Sequence, residues 1–231
     1  MKILYFDMEF ANGQVPGSIY SIGYLMTDED FRILIPQTDL LIDPDCEWNE
    51  YVERKILAYP KETVESAPRF PAHYDKIKAL FDEAEIAVGF AAGNDTRELR
   101  RDCERYGLPQ IQFPYLDLEP LCKTDGKYRF AHGLAGYVKA YCGFDPENQH
   151  RSDGDAYATM RLFKALCESK HATPDMMIAA YPECCGEAVP VVKEKKKSPR
   201  KKPFHRRRRA SSSKKSKSFP AEKAKSGDRL P

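Results

Sequence analysis

The sequence predicts an α/β fold in which helices cover the faces of a mixed sheet. Three apolar segments rich in β-forming residues lie close together near the amino terminus. Short apolar strands and amphipathic helices then alternate along the chain. Consecutive hairpin strands followed by strand–helix alternation are typical of a sheet that contains both antiparallel and parallel strands. These observations define the fold class, and each element is taken below in chain order.

The amino-terminal part supplies the three consecutive strands. Residues 2–6 (KILYF) form a buried strand, and residues 18–26 and 31–35 follow it with the turn TDED between them. The sequence pattern of residues 46–68 does not distinguish between helix, strand and loop. Pro71 then begins a helix whose apolar residues recur on one face: Tyr74, Ile77, Phe81 and Ala84.

The remaining elements alternate between strand and helix. Residues 85–90 (EIAVGF) form a short strand, and the helix TRELRRDCERYGLP follows and stops at Gly107. Residues 113–118 form the fifth strand, and residues 132–143 form a helix. The last clear helix, 155–170, places four residues on its inward face: Ala156, Met160, Phe163 and Cys167.

Charge is unevenly distributed along the 231 residues. Residues 191–231 carry 17 Lys and Arg against 3 Asp and Glu, whereas residues 1–190 carry 20 basic and 32 acidic residues. The carboxy-terminal segment also lacks core-forming residues, so it cannot bury enough apolar area to offset the entropy of ordering. We therefore expect a folded domain over 1–185 and a disordered basic tail over 191–231.

The cysteines and the amino terminus indicate a cytoplasmic setting. The seven cysteines have no framework spacing, the segment MKILYF lacks the features of a signal peptide, and no apolar run approaches 18 residues. We expect no membrane partner. A zinc site is an alternative for four residues near the end of the domain, but their spacing is irregular, so a helix face plus a loop is preferred: Cys167, His171, Cys184 and Cys185.

Two acids interrupt the first apolar strand. Asp7 and Glu9 lie two residues apart in FDMEF, so a strand would point both side chains the same way. Two neighbouring carboxylates repel each other, and burial increases the cost of ionising them. A cation between them would remove this conflict.

Two further acids and a histidine stand at informative positions. Asp95 lies in the first turn of the helix after EIAVGF, and Asp155 begins the last helix with His150 five residues before it. Helix capping would explain each acid singly. Taken together, the four carboxylates suit two Mg²⁺ or Mn²⁺ ions, which can stabilise both oxygens of a phosphoryl displacement. A histidine with a pKa of about 6.5 could take the proton from the attacking water.

The ordered motifs resemble those of the DEDDh 3′–5′ exonucleases, the superfamily of the bacterial proofreading subunit and ribonuclease T. FDMEF resembles the first motif, and SIYSIG resembles the second strand. GFAAGNDTRELRRDCERYGL resembles the second motif with Asp95 at its acid position, and HRSDGDAYATMRLF resembles the third. HGLAGYVKAYCG matches the helix that usually precedes the third motif. The resemblance covers roughly residues 1–170 and implies a ribonuclease H-like fold with a five-stranded mixed sheet.

The resemblance also implies an activity and a set of site residues. The chain would be a metal-dependent 3′–5′ exonuclease that releases nucleoside monophosphates from single-stranded ends, with RNA favoured over DNA. His150 would be the general base. Two Mg²⁺ or Mn²⁺ ions would be held by four catalytic acids: Asp7, Glu9, Asp95 and Asp155. The terminal nucleotide would be lined by Phe10, Ala11 and Ile22.

Several alternatives stay open. Ala91 stands where the second motif commonly has Asn, and Phe90 stands at the neighbouring His or Trp position, which resembles a divergent RNA-trimming branch. Phe10 fits a core position equally well, and Asp117 is interpreted as a strand-end cap. The basic tail would contact phosphates by counterion release, or it would only offset an acidic body. A catalytically silent nucleic-acid-binding protein acting through this tail is the rival function, and the oligomeric state is open.

Overall fold

The computed structural model contains a mixed sheet, and it describes residues 1–146 and 150–189. In chain order the strands are β1 (Ile3–Phe10), β2 (Ile19–Thr27), β3 (Ile33–Leu41), β4 (Ile86–Gly89), β5 (Pro114–Asp117) and β6 (Cys185–Glu187). Their order across the sheet is β3-β2-β1-β4-β5-β6. β1 pairs parallel with β4, and β4 with β5, whereas the other neighbours are antiparallel. The predicted mixed sheet is confirmed, with a sixth strand beyond the five expected.

Helices cover both faces of this sheet. They are α1 (Lys61–Glu65), α2 (Phe70–Glu83), α3 (Ala92–Arg105), α4 (Leu118–Asp125), α5 (Gly133–Cys142), α6 (Ser152–Lys170) and α7 (Pro174–Ala180). A π-helical turn at Val52–Ile56 and a 3-10 turn at Pro182–Cys184 complete the described elements. None of these helices has the length and apolar character needed to cross a bilayer.

Two apolar clusters enclose the sheet, one on each face. Ile3 and Tyr5 of β1 pack with residues of α4, α5 and α6, whereas Leu4 and Phe6 pack with residues of α2 and α3. Side chains alternate between the faces of a strand, so residues 7 and 9 share the face of Ile3 and Tyr5. The sequence of β1 therefore directs both acids toward α6.

The helical patterns account for this packing. In α2, the predicted residues Tyr74, Ile77 and Phe81 are buried, while Ala84 comes just after the helix and is half-buried. In α6, all four residues predicted to face inward are buried: Ala156, Met160, Phe163 and Cys167. The 3.6-residue period of the sequence therefore places both helices correctly on the sheet.

The end of the domain holds two elements that the sequence pattern did not predict. α7 follows α6, and β6 then pairs antiparallel with β5, with Leu116 opposite Cys185. Gly186 permits this pairing because a Cβ there would lie 2.5 Å from the Tyr115 ring. β6 runs past residue 185, where the predicted domain ends, and the predicted basic tail lies outside the described residues.

Candidate active site

Three of the predicted acids meet where β1 ends. One carboxylate oxygen from each of Asp7, Glu9 and Asp155 lies within 4.8 Å of the other two. β1 carries Asp7 and Glu9, and the first turn of α6 carries Asp155. Among the described residues, no other group of three or more His, Cys, Asp or Glu side chains is close enough to hold a metal. Cys167, His171, Cys184 and Cys185 are not brought together in such a group.

Burial raises the pKa of each carboxyl in this group, and the charges of neighbouring acids raise it further. Burial raises the pKa of Glu9 to about 8, with a further contribution from the charge of Asp155. Burial also raises the pKa of Asp155 to about 6, although a hydrogen bond from the backbone N–H of His150 opposes the shift. The pKa of Asp7 is well above its usual range because of burial and then the charge of Asp95. A divalent cation would favour the ionised form of all these groups.

Asp95 lies on a helix that packs against the opposite face of the sheet. It lies in the first turn of α3, is 5% exposed, and does not belong to the 4.8 Å group. Burial and then the charge of Glu9 raise its pKa. Its buried Oδ2 has no hydrogen-bond partner in the described part of the chain. The charge of Asp95 also raises the pKa of Asp7. A second cation would give the unpaired oxygen of Asp95 a partner and would offset this repulsion.

The turn between β4 and α3 fixes the position of Asp95. Ala91 precedes α3 with a φ of 59°, in the left-handed region where Asn and Gly are favoured. Its backbone N–H donates to Asp117 Oδ1 at 2.9 Å, and the N–H of Glu119 donates to the same oxygen at 3.0 Å. Asp117 is therefore a cap, as predicted, and it also links the start of α3 to the start of α4.

His150 lies beside the acids on the loop before α6. Its side chain is exposed, and its backbone has a φ of 67°. Its backbone N–H donates to Asp155 Oδ2 at 3.2 Å, while the N–H of Asp155 donates to the Arg151 carbonyl at 2.9 Å. These bonds tie the predicted general base to one of the predicted metal ligands.

Close contact between β2 and the start of α6 brings Asp155 to the sheet. Gly23 lies opposite Asp7 in the β1–β2 register. A Cβ at Gly23 would lie 1.8 Å from the carbonyl carbon of Ser152 and 2.1 Å from the nitrogen of Asp153. Only glycine at this position lets the helix backbone approach so closely.

Asp39 of β3 is a site residue that the sequence analysis missed. It lies opposite Gly23, which places Asp7, Gly23 and Asp39 in one row across three strands. Its Oδ1 accepts hydrogen bonds from the hydroxyls of Ser21 and Ser152, the latter at 2.9 Å, and its Oδ2 accepts one from Tyr59. This network anchors the first residue of α6 to the sheet.

The structure buries the side chains of two of the three residues predicted to line the terminal nucleotide. Ile22 is 1% exposed and packs in the apolar cluster on the face opposite Asp7, because it follows the strand alternation. Ala11 is 0% exposed and packs against Tyr20 and Val64 in a small cluster. Phe10 is half-buried and lines a surface cavity of about 470 Å³.

The fold and the acidic group together are those expected of an exonuclease. A family model described as an exonuclease (RNase T) matches residues 4–163, which is more than half of the chain. The chain therefore belongs to this exonuclease family. No curated protein sequence matches the chain at a significant level.

Solved structures with a similar fold include exonucleases from two groups. A full-length 3′-exonuclease has a TM-score of 0.59 at 12% identity, with 74% of this chain and 60% of that chain covered. The nuclease domain of 3′hExo, described as a DEDDh family member bound to rAMP, has a TM-score of 0.56 at 12% identity, with 73% and 91% covered. A zinc-bound complex of E. coli exonuclease I with single-stranded DNA has a TM-score of 0.64 at 16% identity, with 79% and 43% covered. This chain thus spans only part of the first and third structures.

Proposed function

We propose that the chain is a metal-dependent exonuclease that hydrolyses the terminal phosphodiester bond at the 3′ end of a single strand and releases nucleoside monophosphates. The observation that carries the proposal is the convergence of Asp7, Glu9 and Asp155 within 4.8 Å in an exonuclease-family fold. A catalytically silent nucleic-acid-binding protein is the alternative. Such a protein would keep mutually repelling carboxylates together, at a cost in folding stability, with no catalysis that requires them.

The donor set fits hard divalent cations. Carboxylate oxygens alone suit Mg²⁺ or Mn²⁺ better than softer metals. Asp7, Glu9 and Asp155 would hold one ion, and the orphaned oxygen of Asp95 would help to hold a second. When bound, the ions would polarise the scissile phosphate and stabilise charge on the attacking and leaving oxygens.

The remaining steps fall to side chains of this chain. His150 would take the proton from the attacking water, since its exposed imidazole lies on the loop tied to Asp155. Phe10 would stack on the base of the terminal nucleotide, because an aromatic face accepts any base. Its position at the end of β1, next to Glu9, supports this role.

RNA is the favoured substrate, with DNA as the runner-up. Ala91 and Phe90 depart from the common second motif in a way that resembles RNA-trimming enzymes. Among the structural neighbours, 3′hExo binds rAMP, whereas E. coli exonuclease I binds single-stranded DNA. The basic tail, with 17 cations against 3 acids, would add phosphate contacts along longer strands.

The test is hydrolysis of 5′-labelled RNA and DNA of one sequence, side by side, with Mg²⁺, Mn²⁺ or EDTA. We expect a ladder that shortens from the 3′ end, mononucleotide products, no cleavage in EDTA, and faster hydrolysis of RNA. A strand with a blocked 3′ end should resist hydrolysis. Internal cleavage, or equal degradation of the blocked strand, would contradict the polarity. Binding without hydrolysis under every metal condition would favour the silent alternative.

A further inference from the structure

The connection between α4 and α5 exposes an aromatic and basic surface. We define the 126–132 surface as the segment GKYRFAH, which holds Lys127 and Arg129 but no acid. Phe130 is 95% exposed, well above the other large apolar side chains that are exposed in the described part of the chain. A single exposed apolar side chain is ordinary, so this feature gains meaning only from its surroundings.

A groove beside Phe130 gives this surface a shape that a ligand could occupy. The groove has a volume of about 580 Å³, which lies within the usual range of ligand pockets of roughly 300–1,000 Å³. Gly136 and Ala140 lie one helical turn apart on α5, so their small side chains leave room along the groove. Six of the residues that line it are aromatic or cationic: Lys127, Tyr128, Arg129, Phe130, His132 and Lys139.

The cations of this surface are not neutralised by acids. Within the residues that the structure describes, neither Lys127 nor Arg129 has a carboxylate within 4.0 Å. The Lys127 ammonium instead lies over the ring of Tyr128, 5.1 Å from its centroid, and 5.6 Å from that of Tyr141. On α3, by contrast, four arginines each lie within 4.0 Å of a carboxylate: Arg97, Arg100, Arg101 and Arg105.

The unpaired cations of the 126–132 surface stand out because the domain as a whole is acidic. Residues 1–190 carry 32 acids against 20 cations, so most of the domain repels a polyanion. An unpaired basic surface with an exposed aromatic ring is therefore a place at which the domain can attract one. Lys127 and Arg129 would contact phosphates, and the rings of Tyr128 and Phe130 would stack on bases.

The surface is also connected to the catalytic edge of the sheet. It leads directly into α5, whose Tyr137 packs against Phe90 with ring centroids 6.0 Å apart. Phe90 follows β4 and immediately precedes the Ala91 turn that starts the helix of Asp95. The 126–132 surface is therefore joined through α5 and Phe90 to the start of α3, the helix that carries Asp95.

We propose that the 126–132 surface binds the part of a single-stranded nucleic acid that lies upstream of the 3′ end, which rests on the proposed exonuclease function. Phe130 and Tyr128 stack on bases, while Lys127 and Arg129 contact phosphates. Removing a stacking ring weakens binding of a single strand by roughly 5- to 150-fold. Removing one phosphate contact lowers the slope of log K against log salt by about 0.7.

The test measures binding of a long labelled oligouridine to the full chain in EDTA, by fluorescence anisotropy over a range of salt. Phe130→Ala should weaken binding, and Lys127→Gln should reduce the salt slope. Met176→Ala is the matched control, since it removes another exposed apolar side chain on α7 and should change neither quantity. The variants should fold normally because Phe130 is almost fully exposed.

Hydrolysis separates this inference from the proposed function. With Mg²⁺ or Mn²⁺, Phe130→Ala should raise the ratio of KM for the long strand to KM for a dinucleotide. Wild-type affinity and salt slope in both variants would overturn the inference, even if the wild-type enzyme hydrolyses RNA. Tighter binding of polyglutamate than of oligouridine, lost in Phe130→Ala, would also overturn it and assign an acidic peptide. Absence of any hydrolysis by the wild type would reject the proposed function alone, because the binding measurement does not require catalysis.

Discussion

Replacing Gly23 with alanine tests whether contact between β2 and α6 builds the site. The added Cβ would lie 1.8 Å from the Ser152 carbonyl carbon, while ordinary van der Waals contact begins at 3.4 Å. The start of α6 must therefore move by about 1.6 Å, because the clashing atoms are backbone atoms that no rotamer can relieve. Asp155 would move with the helix, and a misplacement of about 1 Å can cost roughly 10²-fold in rate.

The assay is kcat/KM on end-labelled RNA, together with the free energy of unfolding from urea denaturation. We expect Gly23→Ala to lower kcat/KM by about 10²-fold or more and to destabilise the fold by about 1–3 kcal/mol. Gly93→Ala is the control, since a Cβ at that position meets no atom within 4 Å. Wild-type kcat/KM in Gly23→Ala would refute the reasoning.

Asp39 tests the same junction from the β3 side. Asp39→Ala removes the acceptor of the Ser152 hydroxyl and should lower kcat/KM. Asp39→Asn keeps one oxygen for that bond and should retain more of the wild-type rate. This pair keeps the reasoning testable if Gly23→Ala fails to fold, and equal rates in the two variants would contradict it.

Three further predictions concern the base, the acids and the tail. His150→Ala should lower kcat by roughly 10²–10⁴ with little change in metal affinity, and a wild-type kcat would place the base elsewhere. Without metal, Glu9 and Asp155 should stay protonated in the folded state at pH values where they are ionised in the unfolded chain. Their pKa values in the folded state are about 8 and about 6, against an ordinary carboxyl value of about 4. Stability measured by urea denaturation should therefore fall as pH rises from about 5 to 8, and Mg²⁺ should restore it, whereas a flat profile would contradict the assignment. Deleting residues 191–231 should leave a folded enzyme with a smaller salt slope on long RNA, and an unchanged slope would exclude the tail from binding.

The sequence was sufficient to predict the sheet and the central acids because these follow from local periodicity. Alternation along FDMEF places Asp7 and Glu9 on one side, and the 3.6-residue period places the inward face of α6. Asp155 was correctly placed near the start of this helix, although α6 begins at Ser152, three residues before the predicted start. These features depend on neighbouring residues, so a single sequence reveals them.

Features that depend on register and distant pairing could not be predicted in the same way. β3 extends to Leu41, and its second half carries Asp39. This half has a weak strand pattern in the sequence because it begins with Pro36 and polar residues. Ile22 appeared close to the acids, yet its pairing with Met8 places it on the opposite face. α4 is short and contains Pro120, so its helical pattern is weak. The errors at β3 and Ile22 concern which partner or face a residue meets in three dimensions, whereas α4 was missed because its local pattern is weak.

The central claim is that Asp7, Glu9 and Asp155, with Asp95, hold the divalent ions that hydrolysis requires. Titration of Mn²⁺ into the metal-free wild type and into Asp7→Asn, followed by electron paramagnetic resonance of the free ion, tests it most directly. The wild type should bind two Mn²⁺ ions, and Asp7→Asn should lose both tight Mn²⁺ binding and RNA hydrolysis. Asp7 is a member of the carboxylate group, and the charge of Asp95 also raises its pKa. Unchanged Mn²⁺ binding in Asp7→Asn, or full wild-type hydrolysis in EDTA, would contradict the claim.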